Sequence, residues 1–383
     1  TVQMKGLVLL YPGKNSDRVF WSGAASHRQN ERQLFQEADA EIGRLLLAEQ
    51  GEQDAESVAA AAILENEKQR EQNGQTAADS EREKASEKRT DPAEDKKADG
   101  SKTSSETEVL DQNSSRETAA LAVTNKKKIQ LLKRNRERSY LIRNFYIVDS
   151  STSIDPKLFD VDTFLQMDLR IKKKNKPQIL IFHTHGASEA FADSAPGDAK
   201  ESVIGVGSKL TSILEKKYGY QVLHDKTPYD SINGRIDRNK AYNKAYSGLK
   251  STLKKYPSIE VVIDLHRDGV GNKVHRLTTI RGKKTAQVMF FNGLSRNRKG
   301  NIRYLKNENL QANLSFSLQM KLKSMELYPD FAKPVYLKGY RYNLHLRKRS
   351  LLIELGNENN TLTEANNAME PLAEVLNQVL SGK

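Results

Sequence analysis

Gln178-Ile-Leu-Ile-Phe-His183-Thr-His185 is a short apolar run that ends in two histidines, with Glu189 four residues past the second. The same design returns in Val261-Val-Ile-Asp-Leu-His266-Arg-Asp268 and in Leu351-Leu-Ile-Glu354-Leu-Gly356. Each run reads as a buried strand closed by a metal-type or acid/base side chain. In open α/β sheets ligands collect at the carboxyl ends of strands, so residues far apart in sequence meet there. The fold class expected is therefore α/β, with a mixed, mostly parallel central sheet flanked by helices.

The sequence between these runs supports that reading. Val203, Val206, Leu210, Ile213 and Leu214 share one helical face that stops at Lys217-Tyr-Gly219, and Tyr220–Leu223 predicts a second strand. Ile236, Tyr242, Ala245, Tyr246, Leu249 and Leu253 mark another helix, ended before Pro257, ahead of a strand at Ile259–Ile263. Leu277–Ile280 and Gln287–Phe291 are expected to form a hairpin. A helix from about Lys306 to Met325 precedes Leu351–Leu355. The closing helix from Thr361 turns Leu362, Ala365, Met369, Leu372, Val375, Leu376 and Val379 inward. No internal repeat is visible.

Toward the N-terminus the composition changes. Leu34, Ala38, Ile42, Leu45 and Leu46 recur at helical spacing, followed by Ala59-Ala-Ala-Ala-Ile-Leu64. Asn73–Thr118 has almost no large apolar residues and cannot offset its conformational entropy by burial, which predicts disorder. Three regions are expected: a partly helical extracytoplasmic part over 1–72, a charged disordered linker over 73–143, and a compact domain over 144–383.

Composition excludes several classes. The 383 residues contain no cysteine, so disulfides, thiolate zinc sites and a cysteine nucleophile are ruled out. No run of about 18 apolar residues spans a membrane. The chain starts with Thr1, and Gly6-Leu-Val-Leu-Leu10 is too short for a signal core, so a leader or anchor trimmed from the N-terminus is expected. A net charge of +13 attracts polyanions such as nucleic acid, anionic lipid or bacterial wall. The basic runs are short and scattered without a nucleic-acid motif, so no nucleic-acid partner is expected.

Of seven histidines, His183, His185 and His266 fall at predicted strand ends. Residues two apart on a strand share a face, so His183 and His185 can approach one ion. A lone histidine in such a place serves packing as readily as ligation, and the case rests on the set. Imidazole and carboxylate are what a catalytic zinc takes when three protein ligands leave a place for water. Asp264 and Asp268 flank His266 and suit the orientation of its ring, or a turn or cap. Glu354, inside an apolar strand, suits an acid/base whose pKa burial raises; its structural alternative is a cap or an arginine partner. The carboxylate ligand stays open among Glu189, Glu201 and Asp198, since Glu201 also fits a helix N-terminus. His224, His275 and His345 read as structural or substrate-side. The set as a whole reads as a zinc hydrolase.

Ile181-Phe-His-Thr-His185-Gly-Ala-Ser-Glu189-Ala-Phe191, Val206-Gly207, His224-Asp-Lys-Thr227, Asp237-Arg238, Tyr256-Pro-Ser-Ile259, Ile263-Asp-Leu-His-Arg-Asp268 and the Glu354 strand together resemble the stage II sporulation protein P family. These are membrane-anchored cell-wall hydrolases of endospore-forming bacteria, and the likeness covers roughly residues 144–383. The resemblance implies a zinc-dependent N-acetylmuramoyl-L-alanine amidase fold and activity, with zinc held by His, Glu and His. Carried onto this chain, it makes His185, Glu201 and His266 the ligands and Glu354 the catalytic acid/base, with His183 the alternative to His185. It further implies endopeptidase action on cross-links, peptidoglycan as substrate, stage II sporulation proteins D and M as partners, and a place at the sporulation septum and engulfing membrane. Two rivals remain on residues alone: a zinc carboxypeptidase or deacetylase acting on another substrate, and a wall-binding scaffold that recruits hydrolases.

Overall fold

The computed structural model describes residues 104–382 apart from Pro196 and Asn272, with side chains from Thr118 onward. The helix expected near Leu34–Leu64 lies outside the described residues. A seven-stranded sheet organises the fold. In chain order its strands are β1 (Tyr146–Val148), β2 (Ile179–Phe182), β3 (Val222–His224), β4 (Val261–Asp268), β7 (Val288–Gly293), β8 (Val335–Lys338) and β9 (Arg349–Asn357). A separate hairpin joins β5 (Leu277–Ile280) to β6 (Lys283–Ala286).

Across the sheet the order is β1-β8-β7-β9-β4-β2-β3. The contiguous strands β9, β4, β2 and β3 are parallel to one another. Strands β7, β8 and β1 are also mutually parallel and join the others through one antiparallel pairing of β7 with β9. The expected mixed, mostly parallel sheet is the one observed. Because β2, β4 and β9 point the same way, their carboxyl ends open onto one place.

One face of the sheet packs under α4 (Val203–Lys216), α6 (Leu310–Leu327) and α8 (Met369–Ser381). The main core lies there, with Ile179, Ile181, Val261, Ile263, Leu265, Leu351 and Ile353 fully buried. The alternate residues Leu180, Phe182 and Val262 face α5 (Arg238–Lys255), which offers Ala245, Leu249 and Leu253. This is the two-residue alternation of a strand read from both faces. α7 (Leu362–Asn367) starts at a Thr361–Glu364 capping box that satisfies two otherwise free backbone N–H groups. The closing segment is thus two short helices, α7 and α8, rather than the one expected. Among the described residues no helix is long and apolar enough to cross a membrane.

Three expectations need correction. α1 (Ser104–Asn135) and α2 (Arg138–Phe145) occupy sequence assigned to the linker over 73–143. Asn125, Ile129 and Leu132 are buried and fall three and four apart, on one helical face, and Asn125 Nδ2 donates to Pro329 O at 2.9 Å. Leu141 and Phe145 of α2 complete the seam, so the compact unit starts well before Asn144. Second, Leu277–Ile280 pairs with Lys283–Ala286, not with the apolar run that follows. Arg281 (φ 51°) and Gly282 (φ 74°) form the turn, with both central residues left-handed as tight hairpins favour. The apolar run becomes β7, inside the main sheet. Third, β1 and β8 were not foreseen, being three and four residues long.

Candidate active site

The carboxyl ends of β2, β4 and β9 bring His185, Glu189, Asp264, His266 and Glu354 together. After β2 the chain turns sharply: His185 O accepts from Ser188 N at 3.2 Å and Glu189 N at 3.1 Å. Buried Asp230 holds the turn from outside, accepting from Ala187 N at 2.9 Å and Ser188 N at 3.0 Å. The turn folds Glu189 back against β4, where its Oε2 accepts from Arg267 N at 3.0 Å. Its Oε1 lies 3.3 Å from His266 Nδ1 and 3.3 Å from Arg238 Nη2. Burial would raise the Glu189 pKa, but His266 and Arg238 outweigh it and hold the carboxyl below its usual range.

His266 stands between two carboxylates. Its Nε2 lies 2.8 Å from Asp264 Oδ1, off the line of a hydrogen bond, and Asp264 is itself pinned by Thr184 N (2.9 Å) and Thr184 Oγ1 (2.6 Å). Burial favours neutral imidazole, yet Asp264 and then Glu189 raise its pKa well above the ordinary value. The ring stands edge-on to His185, with centroids 5.3 Å apart. His185 is held neutral, first by burial and then by the Arg238 charge.

His183 and His185 part company. His183 Nδ1 donates to Leu265 O at 2.8 Å, which leaves Nε2 as an acceptor, 2.9 Å from His224 Nε2. His224 in turn lies 3.4 Å from Ser208 Oγ through Nδ1. Both ring nitrogens of His183 are thus used, and burial pushes its pKa down to about 3. Gly207 makes room for the pair: a Cβ there would lie 2.7 Å from the His183 ring. His183 is a buried brace between β2 and β4, while His185 faces the site.

Glu354 sits opposite His266 in the β9–β4 register. Burial first, then the Asp268 carboxylate, push its pKa up to about 8. Asp268 pairs with Arg276 Nη2 at 2.7 Å on the site's outer side. Glu201 ends a short 3₁₀ turn leading into α4, beside the Glu189–Ala190 segment that Val203 N and Ser202 pair with, and its Oε2 accepts from Ala195 N at 2.7 Å. The resemblance made it a ligand and a helix N-terminus was its structural alternative, yet the cap of α4 is Ser202, whose Oγ accepts from Ile204 N at 3.2 Å. His275 bonds Glu364 at 2.8 Å, and His345 stacks near Tyr246; neither joins the cluster. Arg238, Asp230 and Thr184 shape the site, and the residues alone gave them no role; the hint was that Asp237-Arg238 and Thr184 fall in the stretches that carry the family resemblance.

Among the described residues no group of three or more His, Asp or Glu stands assembled to hold a metal ion. The donor chemistry nevertheless fits one. His185 Nδ1 and Glu354 Oε2 are sealed from solvent without hydrogen-bond partners, and His266 Nε2 has only the Asp264 carboxylate, 2.8 Å away. Unpaired buried polar atoms are costly, and a cation is what buried imidazole and carboxylate lone pairs can share.

A family model described as stage II sporulation protein P matches residues 31–377. The chain is 26% identical over 220 residues to stage II sporulation protein P of Bacillus subtilis (strain 168), a match covering 54% of this chain and 51% of that protein. The chain thus spans about half the length of that relative. Among solved structures, it resembles the CwlD amidase of Clostridioides difficile in complex with the GerS lipoprotein, with 14% identity, 54% and 100% of the two chains covered, and a TM-score of 0.34. It also resembles the catalytic domain of CwlV, an N-acetylmuramoyl-L-alanine amidase from Bacillus (Paenibacillus) polymyxa var. colistinus, with 12% identity, 52% and 96% covered, and a TM-score of 0.32.

Proposed function

The chain belongs to the stage II sporulation protein P family, and we propose that it is a peptidoglycan hydrolase that cleaves the amide between N-acetylmuramic acid and L-alanine. The observation that carries this reading is the meeting of His185, Glu189, His266 and Glu354 at the carboxyl ends of three adjacent strands, with His185 Nδ1 and Glu354 Oε2 buried and unpartnered. The ligand set is His185, Glu189 and His266, and the ion is zinc. Bound there, zinc would supply Lewis acidity toward the scissile carbonyl.

The remaining chemistry belongs to the chain. Glu354 takes a proton from the attacking water and delivers it to the L-alanine nitrogen as the carbon–nitrogen bond breaks. Burial and the nearby Asp268 carboxylate raise the Glu354 pKa above the usual carboxylate range, the direction a group that both takes and returns a proton needs. Arg238 and Arg267 N hold Glu189 in place, and Thr184 fixes Asp264 beside His266. The basic surface draws the protein to the anionic wall. In the cell the activity thins the septal wall and serves forespore engulfment, at the membrane and with stage II sporulation proteins D and M. Endopeptidase action on cross-links accompanies it.

Digestion of isolated peptidoglycan tests the reading. Release of free stem peptides, blocked by a chelator and restored by zinc, is expected. Shortened stems still joined to the glycan would replace the amidase assignment with a peptidase, and wall binding without any cleavage would leave only a scaffold.

A further inference from the structure

Tyr242 lies one turn into α5, on the face that also carries Arg238. Its ring stands edge-on to His185 (5.4 Å between centroids, 88°) and to Tyr342 (5.5 Å, 75°). Asn343 Nδ2 donates to its backbone oxygen at 3.0 Å, so ring and backbone are both held.

Several side-chain donors around the site already have set partners. Arg238 bonds Ser188 and Glu189, Thr184 bonds Asp264, and Arg276 pairs with Asp268. Among the described residues no acceptor takes the Tyr242 hydroxyl, and the residue is half-buried rather than sealed. The fold thus holds a rigid phenol donor beside His185, on the helix face that also carries Arg238.

We propose that Tyr242 is a catalytic residue whose O–H donates a hydrogen bond to the carbonyl oxygen of the scissile amide as that oxygen gains negative charge. The inference rests on the hydrolase reading above. Water oxygen bonds to the carbonyl carbon, the carbon–nitrogen bond breaks, and the water proton travels through Glu354 to the nitrogen. Tyr242 keeps its own proton throughout. A preorganised donor of this kind acts on the transition state more than on the planar amide, so it belongs in kcat rather than KM.

The test is Tyr242→Phe, which keeps the ring and its edge contacts. Loss of one such donor lowers kcat by roughly 10²-fold, and zinc content, melting temperature and KM should stay at wild-type values. A second readout needs no turnover: a phosphinate isostere of the muramoyl–alanine bond should bind the variant about as much more weakly as kcat has fallen. Unchanged kcat, or equal phosphinate affinity, overturns the assignment, as does zinc loss in step with activity. Wild-type protein that releases no stem peptide would instead overturn the hydrolase reading, and this inference with it. If the phenylalanine variant does not fold, 4-fluorophenylalanine at position 242, which fills the hydroxyl's space without a donor, replaces it with the same expected fall in kcat, and an unchanged kcat overturns the proposal.

Discussion

Replacing Glu354 by glutamine should slow the enzyme and stabilise the metal-free protein at once. The Glu354 carboxyl is pushed from 4.5 up to about 8 by burial and by Asp268. A folded-state pKa above the unfolded one means the native state binds the extra proton. Stability from this group is therefore complete below about 4.5 and is lost as pH rises toward 8. Each tenfold step in proton balance is worth about 1.4 kcal/mol. At pH 7, about 2.5 decades above the unfolded-chain value, the folded protein carries a burden of about 3 kcal/mol. Glutamine fits the same space and removes it.

In excess chelator, Glu354→Gln should melt on the order of 5–10 °C above wild type at pH 7, and the difference should vanish near pH 4. With zinc restored the gap should narrow, because a neighbouring cation favours the ionised carboxylate. Turnover on peptidoglycan should fall by roughly 10²–10⁴-fold with zinc retained. Calorimetry across pH, metal analysis and stem-peptide release read all three. A variant that melts below wild type in chelator refutes the burial argument, and near-normal turnover refutes the chemical role.

Two further outcomes follow from packing. A chain starting at Asn144 should aggregate or lose its cooperative transition, since it strips α1 and α2 from a seam holding Ile129, Leu132 and Leu141, whereas one starting at Ser104 should melt and digest wall as the full chain does. Gly207→Ala places a methyl 2.7 Å from the His183 ring and should lower stability by about 1–3 kcal/mol in denaturant melts; an unchanged midpoint would show that the His183–His224 pair can move aside freely.

Much of this architecture was legible because two signals reinforced each other. The runs ending at His183, Asp264 and Glu354 are apolar on both faces, as central strands must be, and each ends in a residue unsuited to a core. Helix periodicity in α4, α5 and α8 was equally plain. Pairing partners were not, because periodicity says that a run is a strand and not which strand lies beside it. The apolar run at Gln287 therefore looked like half of a hairpin, although Arg281-Gly282 is a two-residue turn signal sitting between Ile280 and Lys283. The linker extended too far because Ile129 and Leu132 are sparse among lysines, and a helix that buries one narrow stripe hardly changes local composition. Spacing alone could not separate His183 from His185 either. The difference lies in what each ring already bonds, which only the fold supplies.

The choice between Glu189 and Glu201 turns on the same point and can be decided directly. Likeness to the family put the carboxylate ligand at Glu201, yet that side chain caps a turn on Ala195 N. Glu189 is buried, touches His266 and is fixed by Arg238 and by the backbone of β4. To ligate beside His185 and His266, Glu201 would have to abandon its backbone bond and displace a carboxylate that three groups already hold. Glu189→Gln should therefore weaken zinc binding by at least 10-fold to 100-fold, the scale at which support of a metal site alone is felt, and more if Glu189 is a direct ligand. It should also lower stability, since Arg238 and His266 lose the anion between them. Glu201→Gln should bind zinc as wild type does and lose less than about 1 kcal/mol, the worth of one cap. Competition against a chromophoric chelator, run with both variants shown to be folded, separates the two. If Glu201→Gln loses the metal and Glu189→Gln keeps it, the turn after β2 is a structural brace, and the ligand must be delivered by the start of α4.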